Sequence, residues 1–175
     1  DALTADNQSF FAYRPNRKIP VLAVDGDPKT VATQSETFYL ERALNPFYSS
    51  HSDIEPAVST LEELPSRDLQ NFSVIFLCNV RELPPGYELE LEQFVNAGGS
   101  LFISLGDQVD PKFYNEKLGN LIPVVIQNIN QAQNLKDEFK LSFKKTDHPV
   151  LEGFEEKIVR EMEAIRFNSF FKVEP

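Results

Sequence analysis

At 175 residues, the chain has the length of one domain that can bury a substantial core. Its 41% hydrophobic and 25% charged residues are typical of a folded globular protein, and no apolar run approaches the roughly 18 residues that a membrane-spanning helix needs. The net charge of −10 repels phosphate backbones and argues against nucleic acid as a partner, while the single cysteine excludes an internal disulfide and a thiolate metal cage.

The two ends of the chain bear on its domain organisation. The chain begins at Asp1 rather than at a methionine, so we expect it to be a piece of a longer protein. Residues 1–18 are polar with isolated aromatic residues, and we expect a linker or an edge segment there. Residues 19–175 contain no internal repeat and no low-complexity tract, so we expect them to form a single domain.

Apolar runs and amphipathic segments alternate through the first third of the chain. The run 19–24, closed by turn-forming residues, is typical of a strand buried on both faces of a parallel sheet. Thr33 and Glu36 resemble a capping box, which predicts a helix that continues to about Leu44. Residues 52–60 predict a short strand, and the proline inside it favours a position at the sheet edge.

The middle third predicts two further buried strands, at 72–78 and at 101–105, with a helix between them. A proline pair at 84–85 predicts the start of this helix, and a glycine pair at 98–99 predicts its end. The helix presents one apolar stripe toward a sheet, formed by Tyr87, Leu91, Phe94 and Val95.

Strands that alternate with helices at this spacing imply right-handed crossover connections and a parallel sheet. The predicted fold class is therefore α/β, a three-layer, mainly parallel, doubly wound sheet of flavodoxin-like architecture, whose central strands 19–24, 72–78 and 101–105 are buried on both faces. Weaker patterns predict the last elements: a helix at 111–119, a strand at 122–129, a half-exposed strand at 139–144, a helix at 154–164 and a final strand at 165–173.

Polar residues follow each of the three central strands. Ligands of open parallel sheets sit beyond the carboxyl ends of the strands, so Asp25, Asp27, Asn79 and Asp107 are the candidate ligand-binding residues. Carboxylates brought together at one rim could hold a hard cation such as Mg²⁺. The alternative interpretation is that these residues only end strands and cap turns, which aspartate does in most proteins.

Catalytic patterns are sparse in this sequence. The dinucleotide and P-loop glycine signatures are absent, and a phosphate near Asp25 and Asp27 would meet negative charge. The histidines, His51 and His148, both fall in loop-like stretches, and Cys78 ends an apolar strand, where a thiol usually behaves as a small hydrophobic group. No catalytic residue, bound metal or cofactor is therefore expected.

Residues 21–28 resemble the first strand of response-regulator receiver domains, which place an acidic pair there to bind Mg²⁺. In this chain Gly26 separates the two aspartates. The phosphorylated aspartate of receivers would lie at the end of the next strong strand, where this chain has Cys78 and Asn79. A receiver-type phosphorylation switch is therefore not expected.

A second set of segments covers most of the chain: VLAVDGDP, SETFYLERALNP, FSVIFLCNVRELP, LEQFVNAGGSLFISLGDQVD, a later YN pair, and DHPVLEGF. Together they resemble the class I glutamine amidotransferase-like domains of large bacterial membrane-anchored proteins. Those proteins often also carry an aerotolerance-type N-terminal region with two transmembrane segments and a von Willebrand factor A domain. The resemblance implies the amidotransferase variant of the flavodoxin-like fold.

The catalytic elements of that family are missing here. Active amidotransferases carry a G-x-C-x-G turn after the strand that follows the helix and glycine pair, but this chain has Leu105, Gly106 and Asp107 there, and Cys78 lies one strand earlier. A partner histidine and glutamate are not evident. Family members usually have a further segment that completes the sheet, so the resemblance implies that the chain stops short of it at Pro175, through natural truncation or a cut.

Two functional hypotheses follow. The first is a non-catalytic domain of a bacterial inner-membrane protein that contacts protein partners or other domains of its parent chain, with the membrane reached only through segments outside this sequence. The second is a domain, with hydrolase activity as one option, that binds a small molecule or a divalent metal through Asp25, Asp27, Asn79 and Asp107.

Overall fold

The computed structural model describes residues 18–46, 52–134, 138–143 and 154–175. The predictions for the segment before residue 18, for His51 and for His148 lie outside these residues.

The largest unit is a four-stranded sheet in which all neighbours run parallel, in the order β2-β1-β3-β4. Helices connect the strands, so the predicted α/β class is confirmed. The strands are β1 (Ile19–Asp25), β2 (Ile54–Thr60), β3 (Val74–Cys78) and β4 (Ser100–Ser104). The helices are α1 (Phe38–Leu44), α2 (Tyr87–Asn96) and α3 (Pro111–Lys117).

Helices lie on both faces of this sheet. Side chains of a strand alternate between faces, and parallel pairing aligns them in rows across the sheet. One face carries the aliphatic rows of the core, packed with residues of α2 and α3: Leu22, Ile75 and Leu101, then Val24, Leu77 and Ile103. On the opposite face α1 packs over β2, and Thr37, just before α1, donates a hydrogen bond to Asp25 at the end of β1.

The predicted apolar stripe of α2 is confirmed. Tyr87, Leu91 and Phe94 are buried against the sheet, and each such side chain contributes about 1.5–3 kcal/mol by leaving water. The predicted glycine stop is confirmed as well, because Gly98 adopts a left-handed φ of 97° directly after the last turn. The Tyr87 hydroxyl donates to the carbonyl of Leu64 at 3.0 Å, which fixes the first turn of the helix.

The prediction for 101–105 is wrong in its position. In the described sheet β4 is an edge strand rather than a central one, and its pattern alternates, with Phe102 56% exposed. The apolar composition of the run does not reveal this, because a side chain can be apolar without a neighbour to cover it. By contrast, residues 21–24 of the predicted run 19–24 are buried on both faces, although Ile19 at its start is exposed, and β2 lies at the opposite edge as its proline indicated.

The predicted capping box is also wrong. A short 3₁₀ turn, Ala32–Gln34, occupies the position where the helix was expected to start, and α1 begins only at Phe38. No side chain caps α1 at Thr37, because the Thr37 hydroxyl bonds to Asp25 instead. The Glu36 carboxylate, which the prediction turned back toward Thr33, accepts a hydrogen bond from Asn79 instead, so a tertiary contact has replaced the predicted local one.

The second half of the described chain forms two antiparallel pairs instead of extending the parallel sheet. Asn115 of α3 anchors the first pair by bonding both the amide and the carbonyl of Ile126, at 2.9 and 2.8 Å. Within the described ranges, none of the helices combines the length and the apolar character needed to cross a bilayer. The added elements are β5 (Val125–Gln131), β6 (Phe139–Lys140), α4 (Glu156–Glu163), β7 (Arg166–Phe167) and β8 (Ser169–Glu174), with β5 paired to β8 and β6 to β7.

Candidate functional site

The candidate site lies where β1, β3 and β4 end. The backbone amide of Gly26 donates to the carbonyl of Cys78 at 2.8 Å, and the amide of Asn79 donates to the carbonyl of Ser104 at 2.9 Å. These two bonds hold the three strand ends side by side. The loops that leave them therefore meet at one rim, as the sequence predicted.

Asn79 is the centre of this rim. Its side chain is buried, and its backbone adopts a left-handed φ of 53°, which asparagine tolerates better than most residues. Its amide nitrogen donates to Glu36 at 2.9 Å and to Asp107 at 2.8 Å, and its amide oxygen accepts from the backbone of Gln108 at 2.9 Å. The Asn79 side chain thus joins the turns after β1 and β4.

Two glycines make room for Asn79. A Cβ atom on Gly26 would overlap the backbone carbonyl of Asn79 and lie 2.5 Å from Cα of Val80. A Cβ atom on Gly106 would overlap the side chain of Asn79 itself. Both turns can approach this closely only because neither glycine carries a side chain.

Three carboxylates face one another at the rim. One oxygen from each of Asp27, Glu36 and Asp107 lies within 4.8 Å of the others. Among the described residues, no other three aspartate, glutamate, histidine or cysteine side chains come this close together. Lys29 forms a 2.6 Å ion pair with Asp27 and lies beside this cluster. The arrangement therefore places one cation of the protein against three acidic groups.

Asp25 does not join that cluster. Its carboxylate is buried at the base of the rim, where it accepts from the amide of Asp27 and from the hydroxyl of Thr37, both at 3.1 Å. The carboxylate acts as a cap for its own turn, and Glu36 occupies the position at the rim that the sequence assigned to Asp25. Of the four candidates, the structure brings Asp27 and Asp107 together around Asn79.

The charges at the rim influence one another. The hydrogen bond from Asn79 is the main cause that lowers the pKa of Asp107 below its ordinary value of 3.8, assisted by Gln108 and by the charge of Lys29. The hydrogen bond and charge of Asp27 raise the pKa of Lys29 above 10.5, with smaller contributions from Asp107 and Glu36. Lys29 and Asp107 are therefore both ionised at neutral pH.

Cys78 lies next to the rim but does not open onto it. The thiol is buried, and burial together with the charges of Asp25 and Glu36 raises its pKa to about 11. A thiol needs its thiolate form to act as a nucleophile, and that form is scarce at neutral pH when the pKa is this high. The environment of Cys78 agrees with the packing role predicted for it.

Sequence reasoning missed several contributors to the rim. Glu36 was assigned to the capping box, and Thr37, Lys29 and Gln108 were not singled out. Glu36 and Thr37 act through partners that are distant in sequence, and Gln108 acts through its backbone amide, so no local pattern marks these three. Lys29 pairs with Asp27 only two residues away, a contact that the sequence analysis did not consider. An asparagine directly after a buried strand was the one sequence feature that could have indicated a crowded turn, and in the structure Asn79 adopts a left-handed φ.

Comparison with known proteins adds no family to this description. No family model matches the chain, and no match was found among curated proteins or solved structures.

Proposed function

We propose that this chain is a flavodoxin-like module of amidotransferase type that has no catalytic role and works through protein contacts in a larger, membrane-anchored bacterial protein. The strand order β2-β1-β3-β4 supports the flavodoxin-like assignment, because sheets of that type begin with this order. The amidotransferase type and the membrane-anchored parent rest on the sequence resemblance alone.

One observation carries the non-catalytic part of the proposal. At the turn after β4, where an amidotransferase holds its nucleophilic cysteine, Gly106 offers no side chain and the Asn79 amide fills the adjacent space. Cys78 stands one strand away, buried and with a raised pKa. A thioester intermediate requires an accessible thiolate with a base in reach, and this rim supplies no thiolate.

We expect purified protein to release no ammonia from glutamine above the level of a buffer control. The assay is run in parallel on the Cys78→Ala variant, which removes the only thiol of the chain. Release by the wild type that disappears in the variant would overturn the non-catalytic proposal. Release of equal size in both would come from a co-purifying enzyme, because the variant retains no thiol that could form the thioester.

A second candidate function, divalent-cation binding, is favoured by the three carboxylates at the rim. Carboxylate oxygens are the ligands that Mg²⁺ and Ca²⁺ prefer. The oxygens of Asp27, Glu36 and Asp107 are near enough that a small contraction would let them share one ion. Lys29 opposes such binding, because its ammonium already occupies Asp27.

If the rim binds a cation, Mg²⁺ or Ca²⁺ should raise the melting temperature, because a ligand at 100 times its Kd stabilises the folded state by about 2.7 kcal/mol. Glu36→Gln should abolish the shift, and Lys29→Gln should enlarge it by freeing Asp27. Glu55→Gln is the matched control, since Glu55 is exposed near the amino end of β2, away from the rim. A shift that Glu55→Gln reduces as much as Glu36→Gln would exclude this site.

A further inference from the structure

The two edges of the parallel sheet differ in their protection. Proteins usually guard a free edge with proline or charged residues, which prevent a second strand from pairing there. The β2 edge carries both, in Glu55 and Pro56. The β4 edge, with the sequence SLFIS, carries neither, and among the described residues β4 pairs with β3 alone.

The free edge of β4 presents backbone groups in a defined pattern. The amide of Ser100 donates to Ser73, and the carbonyl of Ser104 accepts from Asn79, so the backbone groups of these residues point toward β3. Neighbouring residues of a strand point their backbone groups in opposite directions. Leu101 and Ile103 therefore direct their N–H and C=O groups outward.

The sequence of β4 is almost the same in both directions. Reversed, SLFIS becomes SIFLS, with serines at the ends, aliphatic residues inside them and Phe102 at the centre. A two-fold axis brings identical edge strands together antiparallel, so that residue i faces residue j and j faces i, and the near-symmetric sequence then places similar side chains opposite each other. We propose that β4 pairs antiparallel with β4 of a second copy of this chain, about a two-fold axis at Phe102, forming one continuous eight-stranded sheet.

The geometry of that pair is consistent at each position. Leu101 faces Ile103 of the second copy, and because both point their backbone groups outward they exchange N–H···O bonds. Phe102 then faces its own equivalent in a non-hydrogen-bonded pair, where Cα atoms approach to about 4.5 Å and side chains are closest. Within one copy, Phe102 already stacks on Phe76 with ring centroids 5.0 Å apart. The dimer would extend this contact into a row of four aromatic rings.

Charge opposes the dimer only at long range. Each copy carries −10, yet β4 itself holds no charged residue. Salt screens repulsion between charges beyond about 8 Å at physiological ionic strength. The dimer fraction should therefore increase with salt. The five-residue edge is small, so we expect weak association of the transient class.

Disulfide trapping tests the proposed register. In a Cys78→Ala background, Phe102→Cys places two thiols opposite each other, within the Cα separation that a disulfide allows. We expect mild oxidation to yield a covalent dimer of Phe102→Cys. Ser104→Cys is the matched control, because its residue faces Ser100 of the second copy and cannot link to itself. Equal linking of both variants would overturn the register.

Sedimentation of the wild type from micromolar to millimolar concentration tests the association itself. Phe102→Lys should abolish the dimer, because like charges would face each other at the axis. Leu89→Lys, at a residue of similar exposure on α2, should not. A wild type that remains monomeric throughout overturns the proposal. Protection of the Leu101 and Ile103 amides from hydrogen exchange in dilute monomer also overturns it, by showing that the same chain covers the edge.

This inference deepens the contact role proposed above by naming one partner, and the two fail separately. A monomeric wild type would remove the dimer and leave the non-catalytic assignment in place. Thiol-dependent ammonia release would remove the non-catalytic assignment and leave the dimer in place.

Discussion

Gly26→Ala is expected to lower the free energy of unfolding by about 3 kcal/mol, at the upper end of what overpacking usually costs. The added methyl group would overlap the carbonyl of Asn79 and crowd Cα of Val80. Both are backbone atoms, so no side chain can turn aside to relieve the clash. The end of β1 would have to separate from the end of β3, at the expense of the hydrogen bond from Gly26 to Cys78.

Urea unfolding measures the free energy of unfolding of Gly26→Ala and of a control variant, Gly98→Ala. A Cβ atom on Gly98 meets nothing within 4 Å, so that variant pays only for its left-handed φ of 97°. Such strain costs about 1–2 kcal/mol. A loss in Gly26→Ala no larger than in Gly98→Ala would show that the rim yields easily and that the close packing around Asn79 is not required.

Asn79→Asp is expected to destabilise the fold by roughly 3 kcal/mol at neutral pH, because it replaces a donor with a carboxylate oxygen in a buried position. That oxygen would lie within hydrogen-bond distance of Glu36 and Asp107, which now accept from the amide. Three carboxylates would then face one another without the amide donor that now separates them. Urea unfolding at a series of pH values measures the effect.

The pH dependence should have opposite signs in the two proteins. In the wild type the pKa of Asp107 is lowered in the folded state, so its stabilisation is present above 3.8 and is lost as the pH falls through the folded pKa. In Asn79→Asp, repulsion from Glu36 and Asp107 raises the pKa of the carboxyl group introduced at position 79 when the chain folds. The stability of this variant therefore increases as the pH falls from neutral. The difference between the two proteins should therefore begin to shrink as the pH falls from neutral, and it should shrink further below about pH 4, where the wild type loses its own stabilisation.

Asn71→Asp serves as the matched control for this variant. Asn71 also donates its amide to a carboxylate, that of Asp68 at 3.3 Å, but the pair is exposed. Water screens the new repulsion there, so we expect a change of less than about 1 kcal/mol. Equal losses at Asn79 and Asn71 would contradict the central role assigned to Asn79.

Patterns that depend on a single element were predicted well from the sequence. The run at β1 and the stripe of α2 were found because burial imposes a local period on the residues themselves. The convergence of Asp27, Asn79 and Asp107 was also predicted, since the carboxyl ends of parallel strands share one edge. These features need no knowledge of which distant residues are neighbours.

Features set by distant neighbours were not predicted. The edge position of β4 depends on where the chain goes after α3, and nothing within SLFIS records that. Glu36 lies at the rim in place of the predicted Asp25, because Asp25 bonds to Thr37, whose hydroxyl could have capped a helix instead. Local and tertiary hydrogen bonds of this kind have similar energies, about 1 kcal/mol, so sequence alone does not decide between them.

The bond between Asn115 and Ile126 has a consequence for cooperativity. By pairing with both the amide and the carbonyl of Ile126, the Asn115 side chain acts toward β5 as a neighbouring strand would. The β5–β8 pair therefore cannot separate from α3 without breaking two hydrogen bonds at a half-buried position. Since Tyr114 of α3 and the adjacent Leu118 also pack into the core, we expect local opening of β5 and β8 to be coupled to the parallel sheet.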